Sequence, residues 1–488
     1  MTLTTLRQRA VPRTAEMDRK RLLVRYLILA AIGIVLAIKV YLAMHIADFY
    51  ISFYGLLTST ILCSIFFISF LKYKDPYLEA SKLVLQKADN NDDNNNNNGN
   101  TNNYSPLVSI LVAVKNEEDN IRDCVESCIN SSYPKKEVII VNDASTDKTP
   151  QILEEMEKEF SNLHVINLSQ NVGKKKAIEA ACQWARGEIY VFIDSDCALD
   201  RTAVENAVKI FGSDDSIGGL SGHFRVRNAA NGNWLEKMQD VFYNGQLRVV
   251  RGAESSFSSV TCCSGALTIY RRRAVQPFIH AWANDEFLGI KNFRFATDRR
   301  LTAYVLGAKT DDKLDSRNYA ASAVRSAFDS HTVTRTEKTD KQKWAWRLIY
   351  SPSVTGTVVP PNTFSSYIKQ QIRWRKSFIR SISATGGIYW RRPISAAILY
   401  YVIMGLKFVR PFIVIKALFF IWLSGDLFSM LYFVGVLYTG MLYAIDVRLR
   451  NPGYRFWLYR PLMSLFSTFI LSWLLIYAAI TIRKTGWR

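Results

Sequence analysis

Histidine and cysteine are scarce in this chain, five and seven in 488 residues. The histidines form no metal-ligand pairs. The cysteines (Cys63, Cys124, Cys128, Cys182, Cys197, Cys262 and Cys263) lack the spacing of a secreted disulfide framework or a zinc site, so the expectation is a reducing compartment and no structural zinc. Acidic residues are also in deficit, 42 Asp and Glu against 62 Lys and Arg, for a net charge of +20. A basic excess of this size suits an anionic lipid surface or an anionic substrate and product. Nucleic acid, the other usual partner of such a chain, is not expected once membrane spans are present. Long apolar runs are missing from the middle of the chain and concentrated at its two ends, a segregation that points to a membrane protein.

Residues 22 to 46 and 49 to 72 are two apolar runs joined by a short link, each long enough to cross a hydrocarbon core of ~30 Å. They predict a helical hairpin. The first run is too long for a cleavable signal peptide, and a second span follows at once. Arg25 is placed to snorkel, whereas Lys39 lies inside the run. Arg7, Arg9, Arg13, Arg19, Lys20 and Arg21 precede the hairpin and Lys72 and Lys74 follow it, which puts both flanks and the middle of the chain in the cytoplasm. Residues 394 to 424 and 426 to 447 predict two more spans, with a kink at Pro411, and Arg448, Arg450 and Arg455 return the chain to the cytoplasm. The last apolar segment, 456 to 482, begins with Arg460 and Pro461 and ends in Arg483 and Lys484, a composition that suits a span or an in-plane helix alike.

Residues 89 to 103 are almost wholly Asn and Asp and predict a disordered linker, because they cannot bury enough apolar surface to offset chain entropy. From Val108 the pattern changes. Ser109 to Val114, Glu137 to Val141, His164 to Leu168 and Ile189 to Ile193 are short β-rich runs separated by helical stretches such as Asn120 to Ile129 and Thr149 to Phe160. The alternation predicts a parallel, doubly wound sheet that binds ligands at the carboxyl ends of its strands. In Phe364 to Ile382 the residues Phe364, Ile368, Ile372, Ile379 and Ile382 recur at helical spacing, while Lys369, Arg373, Lys376 and Arg380 fall on other faces, as in a helix at a membrane surface. Trp234 to Val250, with Trp234, Leu235, Met238, Val241 and Phe242 on one side, fits a surface helix or a helix packed on the core equally well.

The strand ending at Ile193 runs into Asp194, Ser195 and Asp196. Two carboxylates at a strand end can hold Mg²⁺ or Mn²⁺ against a diphosphate, although the same three residues also make an ordinary solvated turn. The strand Val138 to Val141 ends at Asn142 and Asp143, where a carboxylate can accept hydrogen bonds from a base or ribose, or cap the helix from Thr149. Gly173, Lys174, Lys175 and Lys176 open a helix, so lysines and free amides can meet phosphate; a solvated basic turn is the plainer alternative.

These elements fall in the order of family-2 glycosyltransferases, and Gln370, Arg373 and Trp374 match the Gln-x-x-Arg-Trp motif of the processive members. Cys263, Ser264 and Gly265, followed by Tyr270 and Arg271, resemble the acceptor-site loop of hyaluronan synthases and of nodulation-factor chitin oligosaccharide synthases, and Asp298 and Arg299 resemble their Asp-Arg step. Thr481, Lys484, Thr485, Gly486, Trp487 and Arg488 look like the start of the hyaluronan-synthase gating loop, either of a short-type member or of an incomplete gate. The chain departs from the family at Thr297, where an acidic residue usually precedes the Asp, and over about Lys309 to Ser351, which looks inserted.

The resemblance implies a GT-A type doubly wound mixed sheet inserted between N- and C-terminal transmembrane helices, with amphipathic interface helices. The corresponding segments are 1–88 (arm and two spans), 89–104 (linker), 105–340 (transferase domain), 341–392 (interface helices) and 393–488 (C-terminal helices and gating tail). It implies a hexosyltransferase that takes UDP-sugar donors and a growing polysaccharide acceptor, in contact with membrane lipids, and passes the product through its own helices. Asp298 would be the general base and Asp194 and Asp196 the metal ligands, with Mg²⁺ or Mn²⁺ as cofactor. Trp374 would stack on the acceptor sugar at the mouth of the membrane channel, and Gln370 and Arg373 would lie near the diphosphate. Asp143, Lys174, Cys263, Ser264, Gly265, Arg299 and Trp487 complete the expected contacts. The Trp487 tail and the Cys263 loop favour a hyaluronan-type product from UDP-GlcNAc and UDP-glucuronate over chitin made from UDP-GlcNAc alone.

Overall fold

The computed structural model describes residues 49–92, 104–308, 346–424 and 430–484, with individual helical residues between 23 and 41. Arg25, Lys39 and the gating residues Thr485 to Arg488 lie outside the described residues. The chain divides into two compact units.

One unit is α/β and comprises Lys74–Asn228, Glu254–Tyr400 and Ile476–Arg488. Its strands β1 (Val108–Val114), β2 (Lys136–Asn142), β3 (Leu163–Asn167) and β4 (Ile189–Asp194) alternate with helices α1 (Ile121–Ile129), α2 (Thr149–Glu159) and α3 (Lys174–Trp184). Val108, Ile110, Leu111 and Val112 of β1 and Val138 to Val141 of β2 are all buried, as parallel strands covered on both faces require, and so they read as continuous apolar runs rather than alternating ones. β1 pairs in parallel with β2 and with β4, so the winding reverses between β1 and β4. Open α/β sheets bind ligands outside the carboxyl ends at such a switch point.

After β5 (Cys197–Leu199) and helix α4 (Ala203–Ser213), β6 (Ile217–Val226), β7 (Thr268–Arg271) and β8 (Arg347–Val358) complete an eight-stranded sheet in the order β3-β2-β1-β4-β7-β6-β8-β5. β7 is antiparallel to β4 and β6, and β8 runs parallel to β6, which makes the sheet mixed. Helices α5 (Thr297–Gly307) and α6 (Phe364–Tyr389) pack against each other within this unit.

Two expectations change here. The Asn/Asp-rich linker begins later than its composition suggests, because helix Pro76–Asp92 continues into it; residues 93–103 lie outside the described residues. The stretch from Lys309 to Ser351 is not wholly an insertion. Residues 309–345 lie outside the described residues, but Arg347 to Ser351 open β8, where Leu348, Ile349 and Tyr350 are buried in the sheet.

In the other unit, Met1–Tyr73, Ala229–Ala253 and Tyr401–Leu475, the described elements are helices. Among the described residues, four helices are long and apolar enough to cross a bilayer: Tyr50–Val84, Ile394–Phe419, Tyr432–Arg450 and Tyr459–Ile480. The last runs through 456–482, the segment whose composition left spanning and lying in plane open. Trp234–Phe242, with a capping box between Asn233 and Glu236, joins this helical unit: Trp234 meets Phe466 edge-on at 6.3 Å, and Asp240 accepts from the Tyr454 hydroxyl at 2.6 Å. The unit encloses a cavity of about 320 Å³ bordered by Lys407, Arg410 and Arg460, with no Asp or Glu among the described residues that line it.

Arg271 at the end of β7 locks the α/β unit together. Its Nε donates to Ile217 O at 2.9 Å, its Nη2 donates to the carbonyls of Phe211 and Asp214, and its guanidinium lies over the rings of Tyr104 and Phe211. The resemblance groups Arg271 with the acceptor loop, but these contacts give it a structural task. Arg271→Met leaves buried carbonyls without donors and is expected to cost about 3 kcal/mol, read as a lowered thermal midpoint of the detergent-solubilised protein.

Candidate active site

The site is built where β1, β2 and β4 end. β4 delivers Asp194 at its last position and turns through Ser195 to Asp196. Facing it, α3 starts at Lys174 directly after Gly173, whose φ of 88° lies in the left-handed region that glycine adopts without a Cβ penalty. Asp143 sets this loop: one carboxylate oxygen accepts from the Val172 amide at 2.7 Å and the other from the Gly173 amide at 2.9 Å. Expected to hold nucleotide, Asp143 has its nearest lone pairs committed to the backbone that aims Lys174.

Lys174 Nζ pairs with Asp194, and the same carboxylate-lined cavity includes Asp298, Cys263 and Gly265. Burial works against the Lys174 charge, but the carboxylates of Asp194, Asp298 and Asp196 outweigh it and raise its pKa. Asp196 shows the opposite side of this balance. Burial, and then the neighbouring Asp194 charge, push its carboxyl up to about 6, while a contact from Cys197 Sγ at 3.3 Å pulls the other way.

Asp298 stands in the first turn of α5. A Cβ on Gly265 would lie 2.7 Å from Asp298 Oδ1 and 2.9 Å from Oδ2, so only glycine lets the loop lie against the carboxylate. Thr302, one turn on, fastens both sides: its hydroxyl donates to Asp298 O at 2.7 Å and accepts from the Cys263 amide at 3.0 Å. Ser264 O accepts from Leu267 N at 3.1 Å, which closes the turn into β7. Arg299 is half-buried, and it is Arg300 that makes the buried ion pair on this helix.

Gln370, Arg373 and Trp374 lie on α6 and are not among the described residues lining the Asp298 cavity. Trp374 is 39% exposed, and Gln370 Oε1 is buried with no hydrogen-bond donor among the described residues. The helix meets α5 through Ser377, whose hydroxyl accepts from the Ala296 amide at 3.0 Å. The polar faces expected on α6 are revised: Lys376 and Arg380 are buried, Phe364 is exposed, and the isoleucines of the apolar spacing are half-buried. Asp285 takes Arg380 inward at 2.5 Å, and Lys376 Nζ donates to the Lys484 carbonyl at 2.6 Å. Lys175, expected with the phosphate-facing lysines, likewise turns inward to Asp285.

Sequence reasoning missed Lys115 and Glu117, which follow β1 at the switch point. Lys115 Nζ donates to Asp143 O and Ala144 O at 3.3 Å, and the charge of Glu117 contributes to the high pKa of Asp196. The strand-end rule that selected Asp143 selects them too. Trp282, which donates to Thr297 O at 2.8 Å and lines the cavity, gave no comparable signal.

Asp194 and Asp196 carry oxygen donors of the kind that a hard divalent cation takes. Among the described residues, no group of three or more His, Cys, Asp or Glu side chains is placed to hold a metal ion.

Residues 109–278 match the sequence model of Glycosyl transferase family 2. The chain is 27% identical over 363 residues to a hyaluronan synthase of Streptococcus pyogenes, covering 73% of this chain and 76% of that protein. It is 24% identical over 354 residues to an N-acetylglucosaminyltransferase of Azorhizobium caulinodans, covering 72% and 78%. A mannosyltransferase of Pyrobaculum calidifontis, solved with GDP-Man and Mn²⁺, superposes with a TM-score of 0.50 at 19% identity over 87% of this chain and 99% of that one, a likeness of fold.

Two outcomes follow from this geometry. Gly265→Ala is expected to slow sugar transfer at least about tenfold by displacing the Asp298 carboxylate, with an unchanged thermal midpoint, measured as UDP release. Because a raised carboxyl pKa means protonation at higher pH, Mn²⁺ affinity is expected to fall as pH drops through about 6, measured by titrating Mn²⁺ at pH values on either side.

Proposed function

We propose that this hyaluronan synthase-like, processive family-2 glycosyltransferase polymerises UDP-GlcNAc and UDP-glucuronate with inversion on the cytoplasmic face and passes the polysaccharide across the membrane. The observation that carries the reading is the meeting of Asp298, Gly265, Lys174 and Asp194 in one cavity at the sheet's carboxyl edge.

In this reading Asp298 takes the proton from the acceptor hydroxyl, and attack on the anomeric carbon from the face opposite UDP inverts its configuration. Gly265 leaves room for the Asp298 carboxylate against the acceptor loop, and Thr302 keeps loop and base in register. Lys174 donates toward the diphosphate, aimed by the loop that Asp143 holds. Asp194 and Asp196 would hold Mg²⁺ or Mn²⁺, which when bound supplies charge neutralisation to the departing UDP. Trp374 offers an exposed indole face for a sugar ring, and Gln370 and Arg373 serve the phosphate side.

The cavity bordered by Lys407, Arg410 and Arg460, with no carboxylate among the described residues lining it, favours an anionic polymer over a neutral one. Basic flanks around the N-terminal apolar runs support a cytoplasmic transferase domain in a membrane-embedded, lipid-contacting protein. The alternative product is chitin or another poly-GlcNAc.

The test supplies each UDP-sugar singly and in pairs to the purified protein with Mn²⁺. Polymer is expected only when the GlcNAc and glucuronate donors are both present, and hyaluronidase should degrade it. Growth from UDP-GlcNAc alone, sensitive to chitinase, would establish the alternative. Asp298→Asn is expected to cut UDP release by about 10²- to 10⁴-fold.

A further inference from the structure

Beneath the reaction cavity lies a second set of charges that the chemistry does not use. Asp285 exposes 2% of its side chain and gathers three cations, each itself 5 or 6% exposed. Lys175 Nζ stands 3.3 Å from Oδ2, Arg300 Nε 3.2 Å from Oδ1, and Arg380 is bidentate, with Nε 3.2 Å from Oδ2 and Nη2 2.5 Å from Oδ1. Surrounding groups take the remaining donors: Lys175 reaches Phe293 O at 2.9 Å and Arg300 reaches the Tyr304 hydroxyl at 3.0 Å. Phe287 lies under the Arg380 guanidinium at 4.9 Å.

As a stabilising device this cluster is poor. Three cations meet one anion out of water, and desolvating ions costs several kcal/mol each, so apolar side chains of equal volume would hold the same elements at least as well. Burial depresses the Lys175 pKa to about 8 even beside the carboxylate. What an ion cluster supplies and an apolar one does not is a single register among its elements. Those elements are the ones that carry the site. Lys175 adjoins Lys174, Arg300 shares the first turns of α5 with Asp298, and Arg380 lies less than two turns along α6 from Trp374.

We infer that Asp285 is a positioning residue: through Lys175, Arg300 and Arg380 it holds the phosphate-side lysine, the base and the Gln-x-x-Arg-Trp helix in one fixed arrangement. This rests on the reading of Asp298 and Lys174 proposed above. Ser377 provides an independent fastening at the same junction, accepting from the Ala296 amide while donating to Arg373 O at 3.0 Å. Loss of Asp285 therefore loosens the arrangement without dissolving it.

The test uses the full chain in detergent with both donors and Mn²⁺, and follows UDP release. Asp285→Asn and Arg380→Gln are each expected to lower kcat about ten- to a hundredfold with donor KM changed less than about threefold. The double variant is expected to be no worse than the poorer single one, since both break one linkage. Lys175→Met guards against misfolding: it removes a cation whose charge burial disfavours, so the thermal midpoint should hold or rise while kcat still falls. A purely structural role predicts the reverse, a lowered midpoint with wild-type kcat per folded molecule, and that result overturns the inference, as does additivity of the two single effects. Asp298→Asn in the same assay separates the two levels. If it retains release, the site reading and this inference fall together; if it is inactive while Asp285→Asn and Lys175→Met turn over as wild type, only the inference falls.

Discussion

Acidic side chains gathered out of bulk water must be neutralised, and the α/β unit is organised around doing so twice. Consecutive residues at the start of α3 divide the work. Lys174 turns to Asp194 in the reaction cavity and Lys175 to Asp285 in the interior. Neighbouring helical positions do not share a face, so one turn of helix serves two carboxylate groups on different sides. The register of α3 is therefore fixed from both, and the glycine before it, held by Asp143, lets the chain enter at the angle this requires.

The first half of the sheet was legible because its determinants are local. β1 to β4 are short apolar runs broken by helices, and the rule that places ligands at parallel strand ends located Asp143 and Asp194 before any tertiary contact was known. β8 was hidden for the converse reason. It follows a long stretch of mixed composition and finds its partner, β6, far back in the chain, so neither period nor spacing exposes it. The inward turn of Lys376 and Arg380 was illegible for the same physical cause. Read as a helix alone, α6 presents them as solvated cations, and only partners distant in sequence, the Asp285 carboxylate for Arg380 and the Lys484 carbonyl for Lys376, reverse that reading. Gly265 was recognisable as part of a motif, but its purpose, leaving room for the Asp298 carboxylate, is a property of two segments brought together.

The junction before Asp298 shows how such a site tolerates local cost. Ala296 has a φ of 61°, in the left-handed region, which for a residue with a Cβ costs about 1–2 kcal/mol. Its carbonyl accepts from Arg300 N at 2.9 Å and its amide donates to Ser377, so the strained residue is tied to the helix that bears Asp298 and to the helix that bears Trp374. A relaxed backbone at Ala296 would start α5 in a different direction and carry Asp298 away from Gly265. Strain of this kind persists only where surrounding contacts over-determine it, and here they are Ser377 on one side and the Asp285 cluster on the other. The cost is offset by contacts that need α5 and α6 in this one relation, the same relation that the proposed chemistry uses.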